Sequence, residues 1–246
     1  MAVNDIPRIQ DDLTKPGRTA RQKYSALIIG EPGWAALISY ELVVLMSQSV
    51  PGALGLALRK VLYPFLLGSC GRNVVFGQNV VLRHPHKIRI GDNVVIDDNC
   101  LIDAKGTTND GIRIGNGVFV GRNTILSCKN GNIEIAAGAN VGFNCEIFSA
   151  SVVRVGERAL IAAYCYLIGG EHDFNDPSRP VLDQTRRSTG ITIGAGAWLG
   201  AGAKILDGVV IGANAIIGAG AVVRDSVPDQ ATAVGMPARI VGNRGN

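Results

Sequence analysis

The chain has 246 residues, 47% hydrophobic and 18% charged, a globular composition that excludes a disordered chain. Its net charge is +4, its basic residues are scattered and it has no aromatic-plus-basic run, which argues against nucleic acid as a partner. Thirty-two glycines beside only 5% aromatics point to many tight corners around an aliphatic core.

In chain order, residues 1–23 read as a polar, flexible tail, with Asp5, Asp11 and Asp12 where a leader would be apolar. Residues 24–70 are strongly apolar. Their longest uncharged run, 42–58, contains Pro51, and Glu31 and Glu41 interrupt what precedes it. A span needs about 20 apolar residues, so two short helices are expected instead, about 34–49 and 52–67, the second carrying Arg59 and Lys60 between apolar faces. Such an appendage would cap the open start of the next domain, pack on a neighbouring subunit, or lie on a membrane surface.

From residue 71 to 227 a six-residue period takes over. Ile193, Leu199, Ile205, Ile211, Ile217 and Val223 follow at steps of six. The same step links Ile90, Ile96 and Ile102, then Ile114, Val120 and Leu126, then Ile135, Val141 and Ile147, then Val155, Ile161 and Leu167. The next residue is often glycine, as at Gly91, Gly121 and Gly200, and the residue two before is small or aliphatic, as at Thr124 and Ala197. A period of six fits no amphipathic helix, and turn signals recur too often for a simple hairpin protein. It fits a triangular coil of short strands with aliphatic residues pointing inward and glycine at the corners, where it tolerates positive φ. Cys100, Cys145 and Cys165 fall on the small inward positions. With an odd count and no CxxC pair, the cysteines read as buried thiols of a reduced, cytoplasmic protein.

The period breaks four times. Twelve residues separate Ile102 from Ile114, which puts Thr108 in an inward slot; nine separate Leu126 from Ile135, and eight separate Ile147 from Val155. The largest break, 26 residues from Leu167 to Ile193, inserts a loop at about 168–190 that holds His172, one of three histidines. Loops on a rigid scaffold carry function. Residues 228–246 leave the repeat and are expected to cover the last strand edge as an irregular cap.

IGAGAW, LGAGAK, IGANAI and IGAGAV carry the signature [LIV]-G-x-x-x-x, and the chain resembles the hexapeptide-repeat acyltransferase superfamily. That resemblance implies an all-β, left-handed parallel β-helix, against the usual right-handed crossover, and a homotrimer with active sites between subunits. Within the superfamily, ANVGFNCEIF, IAAYCYLIGGEHDF and ITIGAGAWLGAGAKILDGVV are most similar to the galactoside and maltose O-acetyltransferases, as is the closing VPDQATAVGMPARIVG.

By that likeness His172 is the general base that takes the proton of a sugar or glycan hydroxyl as it attacks acetyl-coenzyme A. An imidazole with a pKa of about 6.5 suits the exchange, and the activated thioester calls for no metal. Glu171 and Asp173 flank it as candidates to orient the ring. A family asparagine near the acceptor falls on Gly142 here, which leaves Asn144 as its substitute. The resemblance puts coenzyme A between subunits, past Ala201, Gly202 and Ala219 and beside Trp198, with Arg224 and Arg239 at its phosphates. Oxyanion donors are expected at the backbone of residues 198–202. The setting implied is polysaccharide biosynthesis, in the cytoplasm or at a membrane surface.

Three other readings stand beside it. An N-acyltransferase acting on an amino-sugar acceptor, nucleotide- or lipid-linked, usually carries an N-terminal nucleotide-binding fold, for which residues 1–70 are too short. A non-catalytic scaffold leaves the His172 loop unexplained. A gamma-class carbonic anhydrase would need metal-ligand histidines at a spacing that is missing: His84 and His86 sit two apart in RHPHK, a polar turn around Pro85.

Overall fold

A computed structural model describes residues 16–245; the first fifteen residues of the expected 1–23 tail lie outside these. The rest of that stretch includes a short exposed helix. Helix α1 (Ala20–Tyr24) starts in a reciprocal capping box between Thr19 and Gln22. A π turn, Ser25–Ile29, and left-handed Gly30 lead to α2 (Trp34–Ser47) and α3 (Gly52–Leu62). Helix α3 stops short of residue 67 because Pro64 lacks an amide hydrogen and crowds the preceding turn, leaving a 3-10 turn over Tyr63–Phe65.

These helices are bonded to the first coil through side chains. Tyr40 and Tyr63 donate to the carbonyls of Leu82 and Val80, both at 2.8 Å, and Arg59 Nε donates to Phe76 O at 2.9 Å. Arg59 is 2% exposed and also reaches Ser47 O at 2.9 Å, in the last turn of α2, and Val50 O at 2.8 Å, just past its end. Outward, the same helices expose Trp34, Ile38, Leu42, Leu45, Leu54 and Phe65. Among the described residues no single helix is long and apolar enough to cross a membrane.

The six-residue period winds into a three-faced β-helix. Face A has seven strands, from Ser69–Cys70 to Val210–Ile211, so the coil starts two residues before the expected 71. Face B has nine, from Val75–Phe76 through Ile216–Ile217 to a final pair. Face C has seven, from Val81–Arg83 to Val222–Val223. Neighbouring coils pair in parallel register, for example Ile147 beside Leu167 and Leu167 beside Ile205. All eighteen aliphatic positions of the period are at most 3% exposed, each worth roughly 1.5–3 kcal/mol of burial. Thr124 shares their interior because its hydroxyl donates to Gly142 O at 2.8 Å and accepts from Cys145 N at 3.2 Å.

The role of the signature glycine is corrected. Gly91, Gly121, Gly142, Gly200 and the equivalent glycines do not have positive φ. What they supply is room: a Cβ on Gly121 would lie 2.7 Å from Phe143 N and 2.8 Å from the Gly142 carbonyl carbon of the next coil. Positive φ falls two residues later, at Asn93, Asn99, Gly117, Asn123, Asn144 and Gly202 among others. Asparagine suits that backbone, and its amides stack, Asn79 to Asn99 and Asn123 to Asn144, both at 3.1 Å. Arg158 (φ 53) and Tyr164 (φ 62) occupy the same kind of site at a cost of roughly 1–2 kcal/mol each.

All four breaks in the period fall on one edge, where face C turns into face A. In the first, Asn109 rather than Thr108 fills the inward slot. Thr108 is exposed, whereas the Asn109 amide donates to Ala104 O at 3.2 Å and Gly131 O at 2.9 Å, stapling two coils. The closing segment is more regular than the irregular cap expected: Ala231–Gly235 joins face B in parallel and folds back on Ala238–Asn243 as a hairpin. Pairing that edge satisfies backbone groups that an irregular tail would leave open.

Candidate functional site

The largest loop leaves the C–A edge after the Tyr166–Gly169 strand and begins as an antiparallel ribbon, Glu171–His172 against Arg186–Arg187, with His172 opposite Arg186. Its crown is tied by Gln184, which is 7% exposed. The Gln184 amide donates to Asp176 O at 2.8 Å and Arg179 O at 3.0 Å, and its oxygen accepts from Asp176 N at 3.1 Å. Its return is tied by Asp207, whose carboxylate accepts from Thr189 N at 2.7 Å and Gly190 N at 2.9 Å. The Ser188 hydroxyl adds bonds to Ser151 Oγ at 2.8 Å and Gly169 O at 3.0 Å. His172 therefore stands on a loop anchored at both ends, half-buried.

The imidazole borders a cleft of about 110 Å³ lined by Lys129, Phe148, Ala150, Arg186 and Arg187. Lys129 Nζ lies 4.8 Å over the Phe148 ring, and Phe148 meets Tyr166 edge to face at 5.8 Å. Burial, then repulsion from Arg186 and Lys105, pushes the Lys129 ammonium below its usual pKa. This cluster of cations favours charge that develops on an oxygen or sulfur in the cleft.

Around the histidine, the Asp173 carboxylate is committed to Arg187 at 2.7 Å and to the Asn175 amide at 2.6 Å. The Arg187 guanidinium holds that carboxyl below its usual range. Glu171 is exposed and pairs across the ribbon with Arg187.

The other residues singled out from sequence lie elsewhere on the prism. Asn144, Ala201, Gly202 and Ala219 are on the edge between faces B and C, and Asn144 accepts from Asn123 in the amide stack. Trp198 is on the outer side of face B between Leu160 and Ile216, 47% exposed. Arg224 follows the last face C strand and Arg239 sits in the closing hairpin; both reach Asp225, at 3.5 and 3.6 Å. His84 and His86 share His172's edge four coils below, roughly 19 Å away at about 4.8 Å per coil. Among the described residues no group of three His, Cys, Asp or Glu is placed to hold a metal.

Sequence reasoning missed Lys129 and Phe148. A signal existed: every break follows a third hexapeptide, so all four loops stack on one edge, and Lys129 begins the loop next but one below His172.

Two family models match the chain: the bacterial transferase hexapeptide (six repeats) over residues 190–225, and the hexapeptide repeat of succinyl-transferase over residues 69–104. A Mycobacterium tuberculosis protein named "Probable acetyltransferase Rv3034c" is 30% identical over 133 residues, 54% of this chain and 44% of its own length. The chain spans about half the length of the curated relatives it matches. Among solved structures, AntD, an N-acyltransferase from Bacillus cereus, superposes with a TM-score of 0.52 at 24% identity, over 72% of this chain and 85% of its own. The polySia specific acetyltransferase NeuO superposes with a TM-score of 0.55 at 22% identity, over 71% and 80%. These two likenesses concern the fold.

Proposed function

We propose that this chain, whose residues 69–104 and 190–225 match hexapeptide-repeat transferase models, moves an acetyl group from acetyl-coenzyme A to a hydroxyl of a sugar or glycan. The observation that carries this reading is His172, held on a loop anchored at both ends beside a cationic cleft. His172 takes the hydroxyl proton as the sugar oxygen attacks the thioester carbon. The C–O bond forms, the C–S bond breaks, and the proton passes to the departing thiolate. At the 198–202 corner the Trp198, Gly200 and Gly202 N–H groups already donate to the carbonyls of Ala215, Ile217 and Ala163, so the Ala201 N–H at the turn is the expected oxyanion donor. Solved neighbours bound to coenzyme A or 3-hydroxybutyryl-CoA support an acyl-coenzyme A donor.

The homotrimer is part of the proposal, and geometry supports it. His172 is on the C–A edge, whereas Trp198, Ala201, Gly202 and Ala219 lie on face B and its far edge. One prism cannot bring these together; two prisms set side by side can. The exposed apolar face of α2 and α3 supports contact with a membrane surface, which suits a lipid-linked acceptor. Flotation with liposomes should carry the full chain upward, and a variant with Leu45→Glu and Phe65→Glu should stay at the bottom. Equal flotation of the two rejects that contact.

N-acylation of an amino sugar is the second reading, favoured by AntD, an N-acyltransferase solved with dTDP and coenzyme A. One assay separates the two. Free thiol is followed with acetyl-coenzyme A and a panel of neutral and amino sugars. Release that requires a neutral sugar and falls by about two or more decades in His172→Ala supports hydroxyl transfer with His172 as base. Release only with amino sugars supports the second reading, and sugar-dependent release undiminished in the variant removes His172 from the chemistry.

A further inference from the structure

On the edge between faces B and C, each coil places one residue in the left-handed backbone region. In the lower coils it is asparagine, Asn79, Asn99, Asn123 and Asn144, at φ 54–59; in the upper coils it is glycine, Gly202 and Gly220. Between them stands Tyr164, at φ 62 and 63% exposed. A tyrosine suits that backbone less well than either neighbour type, and it ends the amide stack that Asn123 and Asn144 begin. The fold does not ask for it there.

What Tyr164 does have is company. Its ring meets that of Phe143, 39% exposed, at 6.0 Å and 79°, and the Arg122 guanidinium lies 4.7 Å over Phe143. Three successive coils thus present a guanidinium, a phenyl ring and a phenol in one outward row. In the coils above the row the corner carries only small residues, Ala201 with Gly202 and Ala219 with Gly220.

We propose that Phe143 and Tyr164 form a carbohydrate platform that takes a pyranose ring of the acceptor glycan, with Arg122 donating to its oxygens. The C–H bonds on one side of a pyranose make a flat, weakly positive surface, which matches the negative face of an aromatic ring. The planar guanidinium fork beside it matches ring and hydroxyl oxygens. Residues other than glycine or asparagine are strained at this backbone position, and conformational strain kept at an exposed site points to function. Calling the glycan the acceptor rests on the acetyl-transfer reading, but sugar binding does not.

The test uses the full chain with tetrasaccharides of glucose, galactose and N-acetylglucosamine, by calorimetry and saturation-transfer NMR. At least one should bind, with transfer to its ring C–H protons. Tyr164→Asn and Phe143→Ala should each weaken binding about tenfold, while Tyr164→Asn leaves the melting temperature unchanged or raised. His172→Ala should bind the same sugar normally while losing thiol release, so a failure of the transfer reading would be distinguishable from a failure of the platform. The platform is overturned if no tetrasaccharide binds, or if both variants bind unchanged. It is also overturned if Tyr164→Asn lowers the melting temperature, which makes the tyrosine structural, or if the variants alter only self-association, which makes the row a contact between copies.

Discussion

Gly121→Ala tests why the repeat carries its glycine. The added Cβ would sit 2.7 Å from Phe143 N and 2.8 Å from the Gly142 carbonyl carbon, about 0.7 Å inside the 3.4 Å limit of ordinary contact. These are backbone atoms of the next coil, so no side chain can swing away. Opening the two coils by that amount would stretch the Gly121 N–Val141 O bond from 2.8 Å and the Asn144 N–Arg122 O bond from 2.9 Å to roughly 3.5 Å or more, beyond useful geometry. Two ladder bonds at about 1 kcal/mol each, plus about 1 kcal/mol of residual overpacking, make roughly 3 kcal/mol. For a chain of this size that lowers the melting temperature by roughly 6–12 °C. The control is Gly117→Asn. Gly117 has φ +66 with nothing within 4 Å of its Cβ position, and asparagine fills the same site on other coils, so the cost should stay within about 0.5 kcal/mol. Thermal melts of both variants decide it. Equal losses, or a larger loss in Gly117→Asn, would refute the close-approach account.

Other predictions follow from single side chains. Gln184→Ala removes three bonds from the loop crown, about 1–2 kcal/mol locally, and should speed chymotryptic cleavage after Leu182 while slowing thiol release; unchanged cleavage would show that the crown is held by something else. Arg59→Met leaves the carbonyls of Ser47, Val50 and Phe76 without their donor, a loss of about 3 kcal/mol or more. Hydrogen exchange should rise over residues 34–65 and stay low in the coils, and protection equal to the parent's would contradict the stapling role. Stability should also fall in acid. Burial holds the His84 imidazole, 2.9 Å from Ala26 O, below its usual pKa, and His86 likewise despite Glu31 at 3.8 Å. The unfolded chain then binds protons more readily, so stability is full above about pH 6.5 and drops below it. His84→Asn, with Asp103 and Lys87 left in place, should flatten the acid limb of melting temperature against pH, and an unaltered limb would rule His84 out.

The sequence alone determined the coil. A six-residue period admits only one inward direction per strand, and the aliphatic residues that keep it are those that the structure buries. It also set apart the His172 loop, because a long polar insertion cannot stay inside a narrow aliphatic prism. Tertiary structure decided what depends on contacts between coils. The signature glycine answers to the backbone of the next coil some twenty residues on, which no local pattern of φ preference reveals. Asn109 takes the slot expected of Thr108 because acceptors from two coils converge on it. Lys129 and Phe148 reach His172 because successive loops stack on one edge. His172 and Trp198 are only 26 residues apart in sequence, yet they stand on different parts of the prism. Winding turns distance along the chain into height and azimuth, and azimuth decides which side chains share a site.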